Sequence, residues 1–244
     1  MEGYRLVITG SHPEYMSLEM REAYDAHLAA GGRLVYLGGN GFYMRVAFND
    51  TIDGAMEMRR ASQPLDGLWD EAPGNHYFSF NGELAGLWSN QHNPPNFSVG
   101  VGFVNIMLGK ELTFERTEAA SSPRARFLFE GTEGPIRNDF GQIYGMLGGD
   151  EFDRFDVNKG SPHHGLVVAT AVNRTVDHPL AKLHQADMTF FETPRGGAVF
   201  SVSCISWGLG LNGNDRDNQV SRVMKNLVDR FIAEEPFVYP PANC

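Results

Sequence analysis

Residues 4–10, YRLVITG, form a short apolar run that is rich in β-branched side chains and ends at a glycine. This pattern predicts a strand that is buried on both faces. A second run of the same kind, RLVYL, follows at residues 33–37. Between them, Ser17 precedes apolar residues that repeat at helical spacing until Gly31, which predicts a capped helix. The order strand, helix, strand predicts a right-handed crossover between parallel strands.

Later apolar runs extend this prediction along the chain, and we expect them to be further strands. They occupy residues 127–129, 165–170, 188–191 and 198–202. Apolar residues at helical spacing behind Asn218 predict a last amphipathic helix that Pro236 stops. The sequence therefore predicts an α/β fold, a three-layer sandwich with a mostly parallel sheet.

The stretch after the second strand departs from the crossover order. Asp53-Gly54 lies between two apolar runs, and this dipeptide is a strong hairpin signal. Residues 61–125 are rich in Gly, Asn and Pro, which favours long ordered loops. We therefore expect an antiparallel, hairpin- and loop-rich insertion at residues 45–125 within a single domain of residues 1–244.

The composition excludes several classes of protein. With 42% apolar and 20% charged residues, the chain has the composition of a globular protein. Its 20 Lys and Arg against 30 Asp and Glu give a net charge of −10, which repels phosphate backbones and anionic lipids. We expect no nucleic-acid or membrane partner and a cytoplasmic location, because no apolar stretch approaches the roughly 20 residues of a membrane span. Cys204 and Cys244 form no disulfide framework.

Polar residues follow both predicted strands, at the edge where parallel strands gather ligands. His12 and Glu14 stand two positions apart around a proline, so they can converge on one cation or one water. Asn40 occupies the nucleophile position of a sharp strand-to-helix turn. An amide cannot attack an acyl group, so Asn40 either supports the turn or donates a hydrogen bond to an oxyanion.

An acidic segment, DEFD at residues 150–153, follows two glycines. It is open to two interpretations, a solvated acidic turn or a hinged loop that brings Glu151 to a site. His12 and Glu14 are likewise open to a structural interpretation, in which the imidazole bonds a neighbouring carbonyl and the carboxylate is solvated.

Three motifs combine these features. They are TGSHPEY at residues 9–15, GGRLVYLGGNGFY at residues 31–43, and the segment from Ser206-Trp207 to NQVSR at residues 218–222. Together they resemble the N,N-dimethylformamidase family, in the C-terminal region of its large (beta) subunit. The likeness extends from residue 4 to about residue 232. It implies a class I glutamine-amidotransferase-like sheet of flavodoxin type, whose nucleophile position is empty here.

The resemblance also implies an activity. It is the hydrolysis of a small N-substituted formamide, with N,N-dimethylformamide giving dimethylamine and formate, by water that a mononuclear iron activates. Glu14 would be the carboxylate ligand of the iron, His12 would move protons or orient the water, and Asn40 would be the active-site asparagine. Glu151 matches a further acidic residue by approximate spacing. The implied partners are a small subunit of the same enzyme and further copies of the chain.

Two tyrosine ligands are implied ahead of the His12 motif, and Tyr4 cannot stand in for both. We therefore expect a fragment or a truncated reading frame that lacks its first strands, exposes a sheet edge and binds iron weakly by itself. Two other functions stay open. One is a catalytically silent module that binds a ligand or a subunit, and the other is a cofactor-free amidase with Glu14 and His12 as acid and base.

Overall fold

The structure is a computed structural model that describes residues 1, 3–59, 76–107, 113–136, 150–172 and 185–241. Its strands are β1 (Leu6–Ile8), β2 (Tyr15–Met16), β3 (Arg33–Tyr36), β4 (Met44–Phe48), β5 (Met56–Met58), β6 (Gly86–Leu87), β7 (Gly102–Met107), β8 (Phe114–Arg116), β9 (Asp150–Arg154), β10 (Leu166–Val172), β11 (Gln185–Glu192) and β12 (Ala198–Ser201). Its α-helices are α1 (Leu18–Ala29), α2 (Asn96–Val99) and α3 (Gln219–Ile232). Short 3₁₀ segments lie between them, and the stretch Ile205–Arg216 is interrupted by non-helical backbone at residues 213–215.

The main sheet has six strands in the order β1-β3-β12-β11-β10-β8. β3 is parallel to both of its neighbours, β1 and β12. The helix α1 joins β1 to β3, and its first turn is capped by Ser17, whose hydroxyl accepts from the Met20 N–H. The predicted crossover between the first two strands is therefore confirmed.

The predicted fold class is wrong, because the sheet is mixed and the structure has several sheets with few helices. β12 with β11, β11 with β10, and β10 with β8 are all antiparallel pairs, unlike the mostly parallel sandwich of flavodoxin or glutamine-amidotransferase type. Parallel neighbours need a crossover of a dozen or more residues, usually a helix. In the described chain between β3 and β12, the one α-helix is the four-residue α2. A tight turn instead joins β11 to β12, with the Thr193 N–H donating to the Gly197 carbonyl.

Smaller sheets surround the main one. β4 pairs with β2 and β6 and forms the predicted hairpin with β5 across Gly54, whose φ is +74°. β7 pairs with β9 in an antiparallel ribbon. Of the predicted insertion at residues 45–125, residues 60–75 and 108–112 lie outside the described residues, and its standing as an insertion stays a prediction. The predicted strand at residues 127–129 is wrong, since these residues end the 3₁₀ turn Arg126–Phe129.

The central strands of the main sheet are buried on both faces, because their alternate residues enter different clusters, whereas the edge strand β1 is half-buried and its Ile8 is exposed. Val35 and Phe200 pack with the apolar side of α3, which includes Leu227 and Phe231. Leu34 and Val199 pack on the opposite side with Leu28 of α1. The last helix is confirmed, with the Asn218 side chain accepting from the Ser221 N–H at its start. None of the helices in the described residues is long and apolar enough to cross a membrane.

Candidate active site

The loop after β1 and the turn after β3 are joined by backbone hydrogen bonds. The Pro13 carbonyl accepts from the Phe42 N–H at 2.8 Å, and the Glu14 carbonyl accepts from the Tyr43 N–H at 3.0 Å. The turn lies close to the loop because position 38 is glycine. A Cβ there would lie 2.7 Å from the Ser11 carbonyl oxygen. These contacts hold His12, Glu14 and Asn40 at one end of the parallel strands.

The strand β9 brings a third segment to the same place. Gly39 packs directly on it, since a Cβ at this position would lie 2.3 Å from the Glu151 carbonyl oxygen. Residues 150–153 therefore belong to a strand, and both sequence interpretations, a solvated turn and a hinged loop, are wrong. Gly148 and Gly149 lie outside the described residues.

The four sequence-predicted site residues meet in one cluster. His12 Nε2 lies 2.7 Å from Glu151 Oε2 and 3.5 Å from Glu14 Oε2. Asn40 Nδ2 donates to Glu151 Oε1 at 3.3 Å. The His12 side chain is 42% exposed, whereas those of Glu14 and Glu151 are 17% and 12% exposed. The cluster therefore opens to solvent at the imidazole, with the carboxylates behind it. The roles assigned to these residues stay predictions.

Two further residues of the cluster were missed at the level of sequence. Asp153 Oδ1 accepts from the Asn40 backbone N–H at 2.8 Å, and Oδ2 accepts from the Tyr36 hydroxyl at 2.6 Å. The Tyr36 oxygen in turn accepts from the Gly41 N–H at 2.7 Å. The available signal is the spacing of Glu151 and Asp153, because residues two apart on a strand share a face. That signal depends on first recognising a strand in an acidic segment.

Burial changes the protonation of this inner pair. Asp153 is 1% exposed, and the loss of hydration raises its pKa to about 7, against hydrogen bonds from Tyr36 and Asn40 that lower it. The pKa of Tyr36 is raised well above its ordinary value, first by burial and then by the neighbouring Asp153 carboxylate. Both groups therefore favour their neutral forms more strongly than they would in water.

Asn40 adopts a strained backbone conformation, and one of its side-chain polar atoms has no hydrogen-bond partner among the described residues. Its φ of 52° lies in the left-handed region, which few residues other than glycine adopt. The side-chain oxygen Oδ1 is buried without a hydrogen-bond partner among the described residues. The amide nitrogen is held by Glu151, so the carboxamide is oriented with its oxygen available as an acceptor.

The donor set suits a hard or borderline cation, since it combines carboxylate oxygens with an imidazole nitrogen. No group of three or more His, Cys, Asp or Glu side chains within the described ranges could hold a metal ion on its own. The assignment of Glu14 as a metal ligand therefore stays a prediction. Without a metal, the same cluster can act in acid–base chemistry, because the imidazole lies within 2.7 Å of a carboxylate oxygen and is reachable from solvent.

A separate cavity of about 650 Å³ lies elsewhere and is lined by none of these residues. Aromatic and proline side chains form much of its wall, among them Tyr43, Phe97 and Phe103. The convergence of the cluster therefore rests on direct contacts between its side chains, not on this cavity.

Comparison with known proteins gives one family. The sequence model of the family described as N,N-dimethylformamidase beta subunit-like, C-terminal, matches residues 1–220. The N,N-dimethylformamidase beta subunit of Alcaligenes sp is 32% identical over 96% of this chain, and that of Paracoccus aminophilus is 31% identical over the same share. In both cases the match covers 32% of the relative, so the chain spans about a third of the length of these relatives. The chain belongs to the N,N-dimethylformamidase beta subunit-like, C-terminal family.

Proposed function

We propose that this chain supplies part of the active site of an amide hydrolase that cleaves a small N-substituted formamide, with N,N-dimethylformamide as the expected substrate. The observation that carries the proposal is the contact of His12 with Glu151, flanked by Glu14 and Asn40. The names of the two relatives support the substrate. Since both are called beta subunits, we also propose that the chain works in an assembly with a second kind of subunit and further copies of itself.

The chemistry requires a nucleophile and a proton for the leaving nitrogen. Water adds through its oxygen to the carbonyl carbon, the C–N bond breaks, and the nitrogen takes a proton, so that formate and a secondary amine leave. His12 is suited to move these protons, since an imidazole can accept a proton at one ring nitrogen and donate one from the other. Because Nε2 faces Glu151 Oε2 at 2.7 Å, Nδ1 is the ring nitrogen that would accept a proton from the reacting water.

Asn40 is placed to steady charge on the substrate oxygen. Its side-chain nitrogen carries two hydrogens, and the bond to Glu151 uses one of them. The second N–H would donate to the oxygen as negative charge develops there. Glu151 has two tasks in this proposal, since one oxygen orients the imidazole and the other orients the amide.

We propose Glu14 as the iron ligand of this chain, with the remaining ligands supplied by other residues. The chemistry that iron supplies when bound is Lewis acidity, which polarises an amide carbonyl and eases the ionisation of water. Glu14 suits this role because its side chain is largely buried beside His12 and carries an anionic oxygen.

Paired measurements of iron and formate test the proposal in the complete, metal-loaded enzyme that contains this chain. Glu14→Gln should abolish bound iron and formate release together, because the anionic ligand is lost. His12→Gln should retain iron and lower turnover by about 10²–10⁴-fold, the range for a general acid or base. Glu22→Gln, on the exposed side of α1, is the matched control and should change neither quantity. Formate release that survives Glu14→Gln would remove this carboxylate from the mechanism.

A further inference from the structure

Behind the His12 cluster lies a second set of hydrogen bonds that the proposed chemistry does not use. Asp153 accepts from the Asn40 backbone N–H and from the Tyr36 hydroxyl, and the Tyr36 oxygen accepts from the Gly41 N–H. Asp153 is 1% exposed and Tyr36 is fully buried. A carboxylate and a phenol are therefore enclosed beneath the turn that carries Asn40.

This turn needs support, because its backbone is strained at two positions. Asn40 and Phe42 have φ values of 52° and 55°, and neither is glycine. Such conformations persist when the surroundings hold them in place. The two N–H groups of Asn40 and Gly41 lie within this strained stretch, and they are the donors that Asp153 and Tyr36 accept from.

The same bonds also fix where Glu151 lies. Glu151 and Asp153 are two apart on β9, so their side chains leave the strand on the same face. When Asp153 is bonded to the Asn40 backbone, Glu151 stands opposite the Asn40 side chain, at the observed 3.3 Å. Asn40 is thus joined to β9 twice, once through its backbone and once through its carboxamide.

We propose that Asp153 and Tyr36 are positioning residues, which hold Asn40 and Glu151 in the register that lets Glu151 orient His12. Stability alone does not require a buried polar set of this kind, since well-packed apolar side chains commonly serve at least as well. Any effect on turnover rests on the proposed function. The effect on the geometry of the turn does not depend on it.

The first test measures amide hydrogen exchange by NMR in the purified chain, with Asp153→Ala and Tyr36→Phe, which remove the acceptors of the Asn40 and Gly41 amides. Exchange at the Asn40 and Gly41 amides should accelerate by about 10–100-fold, as expected for the loss of a hydrogen bond to a charged or buried acceptor. Amides in β11 and β12 should keep their wild-type rates. Tyr24→Phe is the matched control, because the Tyr24 ring also packs against Phe42, with the ring centroids 5.0 Å apart. Equal acceleration throughout the protein would overturn the inference in favour of a purely structural role.

The second test measures steady-state kinetics of formamide hydrolysis in the complete enzyme with the same variants. We expect kcat to fall by about 10–100-fold while KM stays within about twofold, because the acid–base groups are misplaced and substrate binding is kept. If exchange accelerates at the Asn40 and Gly41 amides but kcat is unchanged, the positioning role is overturned. If the wild-type enzyme does not hydrolyse formamides, the proposed function fails, and the exchange result alone decides whether Asp153 and Tyr36 hold the turn.

Discussion

Replacing Asp153 by asparagine should make the stability of the protein less dependent on pH between about 4 and 7. The buried carboxyl has a pKa of about 7 in the folded protein, against an ordinary value of 3.8. As the pH rises past 3.8, the unfolded chain loses this proton while the folded protein keeps it. Folding stability therefore falls across this window and levels off once the folded protein also ionises near pH 7.

The size of the effect follows from the shift. A difference of about 3 pH units at about 1.4 kcal/mol per unit corresponds to roughly 4 kcal/mol of folding free energy. Asparagine keeps the shape of the side chain but does not titrate, so this contribution disappears from the pH dependence of the variant. At pH 4 the wild-type carboxyl is protonated in the folded protein and only about half ionised in the unfolded chain, so most of its contribution is still present.

Urea denaturation at several pH values between 4 and 8 measures the effect. The free energy of unfolding of the wild type, minus that of Asp153→Asn, should decline by roughly 4 kcal/mol over this range. Asp50→Asn, at an exposed position, is the matched control, and its difference from the wild type should stay flat. Parallel curves for the wild type and Asp153→Asn would refute the assignment of a raised pKa to Asp153.

Two further substitutions test the framework around the site. Arg33→Lys should lower the free energy of unfolding by about 3 kcal/mol, measured by urea denaturation. The Arg33 guanidinium donates to four carbonyls at the end of α3 and lies 5.0 Å from the Phe237 ring, and lysine cannot make all of these contacts. An unchanged urea midpoint would contradict this prediction. Gly39→Ala should cost about 1–3 kcal/mol by the same assay and lower turnover, because the new methyl group meets the Glu151 carbonyl. Gly208→Ala, where a Cβ meets nothing within 4 Å, is its control and should leave both quantities near wild type.

Local features of the fold could be predicted from the sequence because their causes are local. Ser17 and Asn218 cap the helices that they were expected to cap, and Gly54 forms the expected turn. The direction of the later strands could not be predicted in this way. A strand buried on both faces gives a continuous apolar run whether its neighbours are parallel or antiparallel, so periodicity carries no information about direction.

The candidate site likewise has one part that could be predicted from the sequence and another part that could not. His12, Glu14 and Asn40 follow the two parallel strands of one crossover, β1 and β3, so the edge of the sheet that they share could be predicted. The contact of Glu151 with His12 joins residues that are far apart in the chain, and sequence spacing placed it only approximately. Asp153 was missed because an acidic residue is usually solvated, and its burial depends on donors from Tyr36 and Asn40.

The bonds between the Asn40 turn and β9 also determine when the site can form during synthesis of the chain. Asp153 follows Asn40 by 113 residues and Tyr36 by 117 residues. At a synthesis rate of roughly 5–20 residues per second, β9 emerges about 6–23 s after the turn. During that interval the Tyr36 hydroxyl and the Asn40 N–H lack their acceptor, Asp153, and the left-handed turn lacks its bonds to β9. The nascent polypeptide therefore gains this site late, in a single long-range closure, and ribosome-bound chains that end before β9 should lack it altogether.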